Sequence, residues 1–490
     1  MTENLLYYGD NLDILRRYLK DESVDLIYLD PPFKSNQDYN VLFEEQNGSR
    51  SKAQIKAFED TWRWDQEAAE SFQLIVEGGG KVSQAMQAFR MLMGENDMLA
   101  YLSMMAPRLM ELKRVLKPAG SIYLHCDPTA SAHLRILMDS IFGPKGFQNE
   151  VIWSYRRWPS PSNHYQRMHD VILFYSKSPS GPGTFNVEYE EGSPSYQKRF
   201  KGKTQMLDPV SKTRKITLEK ESSGLAREDV WDISIIAGSS RERLGYPTQK
   251  PEKLLERIIH ASSREGDIVL DPFCGCGTAV AVSQRLQRQW IGIDITHLAI
   301  TLIKHRLHDV FGDQAKYQVI GEPVSPPDAQ TLAREDPYQF QWWALGLVGA
   351  RPVAVEQKKG ADQGIDGRLY FHDEVRAKTK QIVLSVKAGH ASVAHVRDLR
   401  GVLEREQAEI GVLITLQSPT PAMKREAASS GFYPSPWGKH PRLQVLTVAE
   451  LLAGKRIDYP PSRQVNVTFK KASKARGKNP RSGSSLFNEG

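Results

Sequence analysis

The chain has 490 residues, too many for one ordinary hydrophobic core, and a scale of about 150 residues per domain predicts two or three units. Its 40% hydrophobic and 25% charged content, with no stretch approaching the roughly 18 uninterrupted apolar residues of a membrane helix, excludes a membrane-spanning or largely disordered chain. The net charge of +7 suits a polyanionic partner, because each Lys or Arg set against a phosphate releases counterions. The start MTENLLYYGD lacks the basic and apolar regions of a secretory leader. With only Cys126, Cys274 and Cys276 present, a reducing cytoplasm is the expected location.

The first clear element is SVDLIYLDPPF (23–33), an apolar run that predicts a buried strand stopped by two prolines. A helical stretch is expected around 52–76, and a long amphipathic helix over 95–120, closed by Pro118 and Gly120. A strand over 121–127, a helix over 133–143 and a strand over 149–155 follow, an alternation that predicts a doubly wound parallel sheet. Residues 156–245 break it: rich in Arg, Lys, Tyr, Pro, Ser and Gly, they read as a loop-rich insertion with a basic, aromatic surface. After YPTQKP (246–251) the alternation resumes with KLLERIIHAS, DIVLDPF, TAVAVSQRLQ and QWIGIDI, completing the sheet. Segment 322–330 reads as a linker, residues 335–460 as a smaller α/β unit, and 470–485 as a disordered basic tail. The expected division is 1–155 and 246–320 for the two halves of the main sheet, 156–245 for the insertion, 321–334 for the linker, 335–460 for the second unit and 461–490 for the tail.

VLDPFCGCGT (269–278) joins a strand to a helix through a glycine turn, and Asp294 ends the next strand. Gly275 and Gly277 let backbone approach a ligand at the helix N-terminus, and Asp294 is placed to accept two ribose hydroxyls, so an adenosine-containing ligand is implied. A dinucleotide fingerprint wants a small residue where Val280 stands, and two Cys one residue apart with no second pair fit no usual zinc pattern. Alone, such a turn is also compatible with a purely structural role.

Asp30, Pro31, Pro32 and Phe33 follow a predicted parallel strand at its carboxyl end, where open α/β sheets bind ligands. The Asp30 carboxylate and the Pro31 carbonyl, stiffened by consecutive prolines, offer two acceptors for the N–H groups of an exocyclic amine. Accepting from both draws its lone pair out of the ring and makes it nucleophilic. Phe33 then supplies a stacking surface for a base turned out of the duplex. By itself DPPF is equally compatible with a structural turn.

In one order, LDPPF (29–33), the irregular segment, YPTQKP and LDPFCGCGT (270–278) resemble the beta class of DNA amino methyltransferases, over about residues 5–310. The resemblance implies a Rossmann-like S-adenosylmethionine-dependent fold with an inserted target recognition region acting on double-stranded DNA. It places Asp10 of YYGD at the cofactor adenine, Thr248, Gln249 and Lys250 at its methionine end, and Asp271, Phe273, Gly275, Gly277 and Thr278 in the cofactor turn. Asp rather than Ser at the head of the reacting motif favours adenine N6 over cytosine N4. C5 methylation of cytosine needs a Cys nucleophile, customarily after Pro, and no Pro-Cys pair exists here. RNA as the substrate is a minor alternative, since RNA enzymes share the reacting tetrapeptide.

FQWWALGLVGARPVAVEQKKGADQGIDGRLYF followed by QIVLSVKAG resembles the Mrr-like branch of the PD-(D/E)XK nucleases, a restriction-endonuclease-like α/β domain. Asp366 and Lys387 match the metal and lysine positions, with Asp362 as a further carboxylate. Ser385 stands where Glu or Gln is usual and Gln341 where Glu is common, so a catalytic Mg2+ would rest mainly on Asp366. The alternatives are therefore a methylase in a restriction-modification or defence setting, a modification-dependent endonuclease, and a DNA-binding module silent at both sites. A homodimer is a further expected partner state, and the absence of a P-loop excludes ATP-driven translocation on this chain.

Overall fold

The computed structural model describes residues 3–32, 39–44, 50–58, 63–158, 163–190, 203–207, 214–221, 224–246, 248–352, 364–372 and 379–460. Apolar runs near the N-terminus and between residues 116 and 320 assemble a nine-stranded sheet: β1 (Asn4–Tyr8), β2 (Val24–Leu29), β3 (Leu116–Cys126), β4 (Phe147–Ser154), β5 (His169–Ser176), β6 (Val230–Asp232), β7 (Ile268–Asp271), β8 (Gln289–Asp294) and β9 (Tyr317–Ile320). The order across it is β6-β4-β5-β3-β2-β7-β8-β1-β9. Strand β5 runs antiparallel to both neighbours, and the other adjacent pairs are parallel.

Strands buried on both faces alternate between two cores. In β2, Ile27 and Leu29 face helices α1 (Asn11–Tyr18), α2 (Gln66–Glu77), α3 (Gly80–Met93), α4 (Asp97–Val115) and α5 (Pro128–Phe142), whereas Leu26 and Tyr28 face α6 (Glu252–Ser262) and α7 (Thr278–Arg285). Helix α8 (His297–Phe311) completes that second face with Ile300, Ile303 and Leu307 against Leu6 and Trp290. Helix α4 is the keel of the first core: Leu99, Leu102, Leu109 and Leu112 are fully buried, each stabilising the fold by about 1.5–3 kcal/mol.

The second unit is a five-stranded sheet, β10 (Arg351–Pro352), β11 (Gly367–Phe371), β12 (Lys380–Lys387), β13 (Ile410–Thr415) and β14 (Leu443–Thr447), in chain order. One face packs on α9 (Pro326–Glu335) and α10 (Pro337–Leu347), the other on α11 (Val393–Arg405) and α12 (Pro421–Ser429).

Four expectations change. The stretch read as helix from 52 begins as a hairpin, Tyr39–Glu44 with Arg50–Phe58, and the helix starts only at Gln66, where Asp65 caps it by accepting from Ala68 N. Residues 52–58 alternate polar and apolar, the strand period. The helix expected to reach Gly120 ends at Val115, and β3 begins at Leu116 and runs through Pro118. Pro restricts the residue before it to extended backbone, so the helix stops upstream of the proline. The segment read as loop-rich from 156 contributes β5 and β6 to the main sheet. The expected linker is helix α9, with Ser325 as its cap and two prolines in the first turn, where their missing N–H groups cost nothing. The tail 470–485 lies outside the described residues. Among the described residues no helix is long and apolar enough to cross a membrane.

Candidate active site

Strands β2 and β7 are neighbours in parallel register, Leu26 opposite Val269 and Ile27 opposite Leu270, so their carboxyl ends deliver Asp30 and Asp271 to the same edge. The chain leaves β2 toward β3 on one side and β7 toward β8 on the other, which opens a crevice between them. That crevice is a cavity of about 930 Å³ whose lining includes Asp30, Pro31, Pro32, Asp271, Phe273 and Gly275. Phe33 lies outside the described residues.

The glycine turn follows β7. Asp271 Oδ1 accepts from Phe273 N at 3.1 Å, and burial, with Asp30 and Asp294 nearby, pushes its carboxyl well above the usual range. Gly275 has φ of +48° and Gly277 has φ of +72°, left-handed conformations that suit glycine. A Cβ on Gly277 would lie 2.7 Å from Ile303 Cγ1, and one on Gly275 would lie 3.2 Å from Tyr246 Cε1. Gly277 itself sits behind the turn against α8, and Thr278 opens α7 with its hydroxyl accepting from Arg306 at 3.1 Å. Arg306, buried, also donates to the Cys276 carbonyl and pairs with Glu252, so one guanidinium ties the turn to α6.

Asp294 ends β8 beside this turn. Its Oδ2 accepts from Gly275 N at 2.9 Å and its Oδ1 from the Thr296 amide and hydroxyl, both at 2.9 Å. Burial raises its carboxyl to about 6 despite those donors, and Oδ2 keeps a lone pair toward the cavity. Asp10 caps α1, accepting from Leu12 N and Asp13 N, and its second oxygen accepts from Arg108 at 2.5 Å. Arg108 also holds Asn11, which donates to Pro272 O at 2.8 Å and so fixes α1 to the glycine turn. Gln249 is spent on its own loop, accepting from Leu244 N and donating to Glu242 O. Thr248 lines the cavity, and Lys250 donates to Asp30 Oδ2.

These residues suit S-adenosylmethionine on an observation of their own: the Tyr246 hydroxyl is buried beside Gly275, lines the cavity and has no hydrogen-bond partner among the described residues. Backbone without side chains at Gly275, the open N-terminus of α7 and the Asp294 carboxylate supply matching donors and acceptors.

At the other end of the cavity stands a group that no local pattern announced. His125, fully buried on β3, has Nδ1 3.0 Å from the Tyr28 hydroxyl and 3.9 Å from Asp30 Oδ1, and Nε2 3.1 Å from Asp170 Oδ2. Tyr155 donates to Asp170 Oδ1 at 2.9 Å. Burial would raise Asp170, but its bonds to His125 and Tyr155 and the charge of Lys250 outweigh it and hold the carboxyl low. Burial, with Asp30, pushes the Tyr28 hydroxyl well above its ordinary range.

In the second unit, Gln341, Asp366, Ser385 and Lys387 do meet. Asp366 Oδ1 accepts from Gln341 Nε2 at 3.1 Å, and Oδ2 accepts from Ser385 Oγ at 3.0 Å and Val386 N at 2.6 Å, with Lys387 Nζ 3.9 Å away. One buried carboxylate already spent on these donors does not fit a divalent cation, and among the described residues no cluster of three or more His, Cys, Asp or Glu exists to hold one. Asp362 lies outside the described residues.

Residues 350–453 match the family described as NACHT-associated inactive Restriction Endonuclease 1. The chain is similar to the Type II methyltransferase M.HpaI of Haemophilus parainfluenzae, 29% identical over 293 residues that cover 60% of this chain and 71% of that one. It is 26% identical over 343 residues to the Type II methyltransferase M.HinfI of Haemophilus influenzae, covering 68% and 77%. A third relative is the Mod subunit of the StyLTI Type III restriction-modification enzyme of Salmonella typhimurium, 28% identical over 276 residues, 54% of this chain and 38% of that one. Residues 24–305, more than half of the chain, match the N6/N4 DNA methylase family, and with the cavity between β2 and β7 built as it is, the chain belongs to that family.

Proposed function

We propose that this protein methylates adenine N6 at a defined duplex site, as the methylase of a restriction-modification system, on a base turned out into the cavity. The observation that carries the reading is the convergence of Asp30 and the Gly275 turn on one crevice from adjacent parallel strands. S-adenosylmethionine, when bound, supplies an electrophilic methyl group on a sulfonium. The chain's own groups do the rest. Asp30 and the Pro31 carbonyl accept from the two amino hydrogens and orient the nitrogen lone pair, and Lys250 keeps the Asp30 carboxylate ionised. Asp294 and the α7 N-terminus orient the cofactor, and Asp10, Gln249 and Thr278 act through the loops they hold. The experiment is transfer of tritiated methyl from S-adenosylmethionine to plasmid DNA, followed by sequencing that identifies the modified base. Asp30→Ala is expected to abolish transfer while cofactor binding persists; transfer retained, or a methyl found on cytosine N4, overturns the corresponding part.

The second unit, of Mrr-like ancestry in this reading, is a non-cleaving DNA-binding or regulatory domain. The saturated Asp366 carboxylate supports that over a metal-dependent nuclease.

A further inference from the structure

We propose that His125 is the positioning residue behind Asp30 that takes up the proton leaving the amino nitrogen and passes it to Asp170. The inference rests on the methylation reading above. As the amino nitrogen bonds to the methyl carbon, the C–S bond breaks, its electron pair stays on sulfur, and the nitrogen becomes cationic. One N–H bond then breaks, the pair returning to nitrogen and the proton going to Asp30, whose carboxylate already accepts from that hydrogen. With its Oδ2 tied to Lys250, Asp30 is a weak base, so an outlet is needed.

The outlet is His125. The high pKa of Tyr28 keeps its hydroxyl protonated, so it donates to Nδ1 and fixes the neutral tautomer with hydrogen on Nε2, facing Asp170 Oδ2. The open Nδ1 side lies 3.9 Å from Asp30 Oδ1. A proton arriving there converts the ring to an imidazolium with a carboxylate at each end, and passage of the Nε2 proton to Asp170 restores the neutral ring. The charged and titratable groups facing the ring are Tyr28 and Asp30 from the β2 end, Asp170 from β5, Tyr155 from β4 through Asp170, and Lys250 from the loop before α6. Trp153 of β4 covers it edge-on at 5.5 Å and excludes water. Asp170 lines the same cavity, which gives the proton a path to the mouth.

A role limited to cross-linking β2, β3 and β5 predicts something different, and single-turnover methyl transfer to plasmid DNA by the full chain separates the two, with S-adenosylmethionine affinity measured by calorimetry. His125→Ala is expected to lower the transfer rate about 10²-fold or more while cofactor Kd stays within about threefold, and added imidazole is expected to restore part of the rate. Asp170→Asn, which keeps the side chain's size, is expected to lower the rate in the same way and carries the test if His125→Ala does not fold. Rates within about threefold of wild type in either folded variant overturn the proposal, as does a loss matched by an equal loss of cofactor affinity. A wild-type chain that transfers no methyl overturns the underlying reading instead, which a variant-specific loss cannot.

Discussion

Gly277→Ala tests how the cofactor turn is built. Its φ of +72° costs an L side chain about 1–2 kcal/mol. The new methyl would also lie 2.7 Å from Ile303 Cγ1, inside a fully packed helix contact, and overpacking of that kind costs about 1–3 kcal/mol more. The sum is about 2–5 kcal/mol, the same order as the whole reserve of a marginally stable domain. The two parts separate in a cycle with Ile303→Ala, which removes the atom that clashes and leaves the backbone strain. In urea unfolding, the double variant is expected to be about 1–3 kcal/mol more stable than the sum of the two singles predicts. A Gly277→Ala cost under about 0.5 kcal/mol, or strict additivity with Ile303→Ala, would refute the reasoning.

Asp294 gives a pH dependence with a definite sign. Its folded-state value of about 6 lies above the ordinary 3.8, so its contribution to stability is complete below 3.8 and lost as pH rises through 6. Cofactor affinity runs the other way: hydroxyls donate to the ionised form, so Kd is expected to tighten by up to about tenfold per unit as pH rises toward 6 and then level off, with Asp294→Asn flat; a flat wild-type profile excludes Asp294 as the acceptor. Tyr246→Phe removes a hydroxyl that bonds nothing in the described protein, so the melting temperature is expected to hold while cofactor affinity drops by about two- to tenfold in calorimetry. Incubation with Mg2+ and supercoiled plasmid is expected to give no nicking above the level of Lys387→Ala; metal-dependent cleavage abolished by that substitution would restore a nuclease to the second unit.

The sequence was most legible where chemistry is local. LDPPF and LDPFCGCGT carry strand, turn and ligand logic within ten residues each, and both lie at the sheet edge where parallel strands present such turns. Legibility failed where a local signal was overridden. VILFYS (171–176) is an apolar run of strand length, yet the Pro, Ser and Arg on either side of it pointed to loop. Ser325 followed by two prolines spelled a linker, although the same residues form a capped helix start. The His125 group was out of reach altogether: Tyr28 and Asp170 stand 97 and 45 residues from it, and only the pairing of β3 with β2 and β5 brings them together. Arg108 and Arg306 were missed for the same reason, since their service to Asp10 and to the glycine turn crosses the fold.

The position of β5 and β6 has a consequence for how such a protein changes. Everything between residues 177 and 229 leaves the sheet after β5 and returns to its outermost strand, with β3 and β5 standing between that edge strand pair and the reacting crevice. Loop length added there costs only slowly growing closure entropy and leaves β2 and β7 untouched. The region behaves as an interchangeable cassette on a conserved engine, so grafting an equivalent stretch from a relative should retarget the chemistry without rebuilding it.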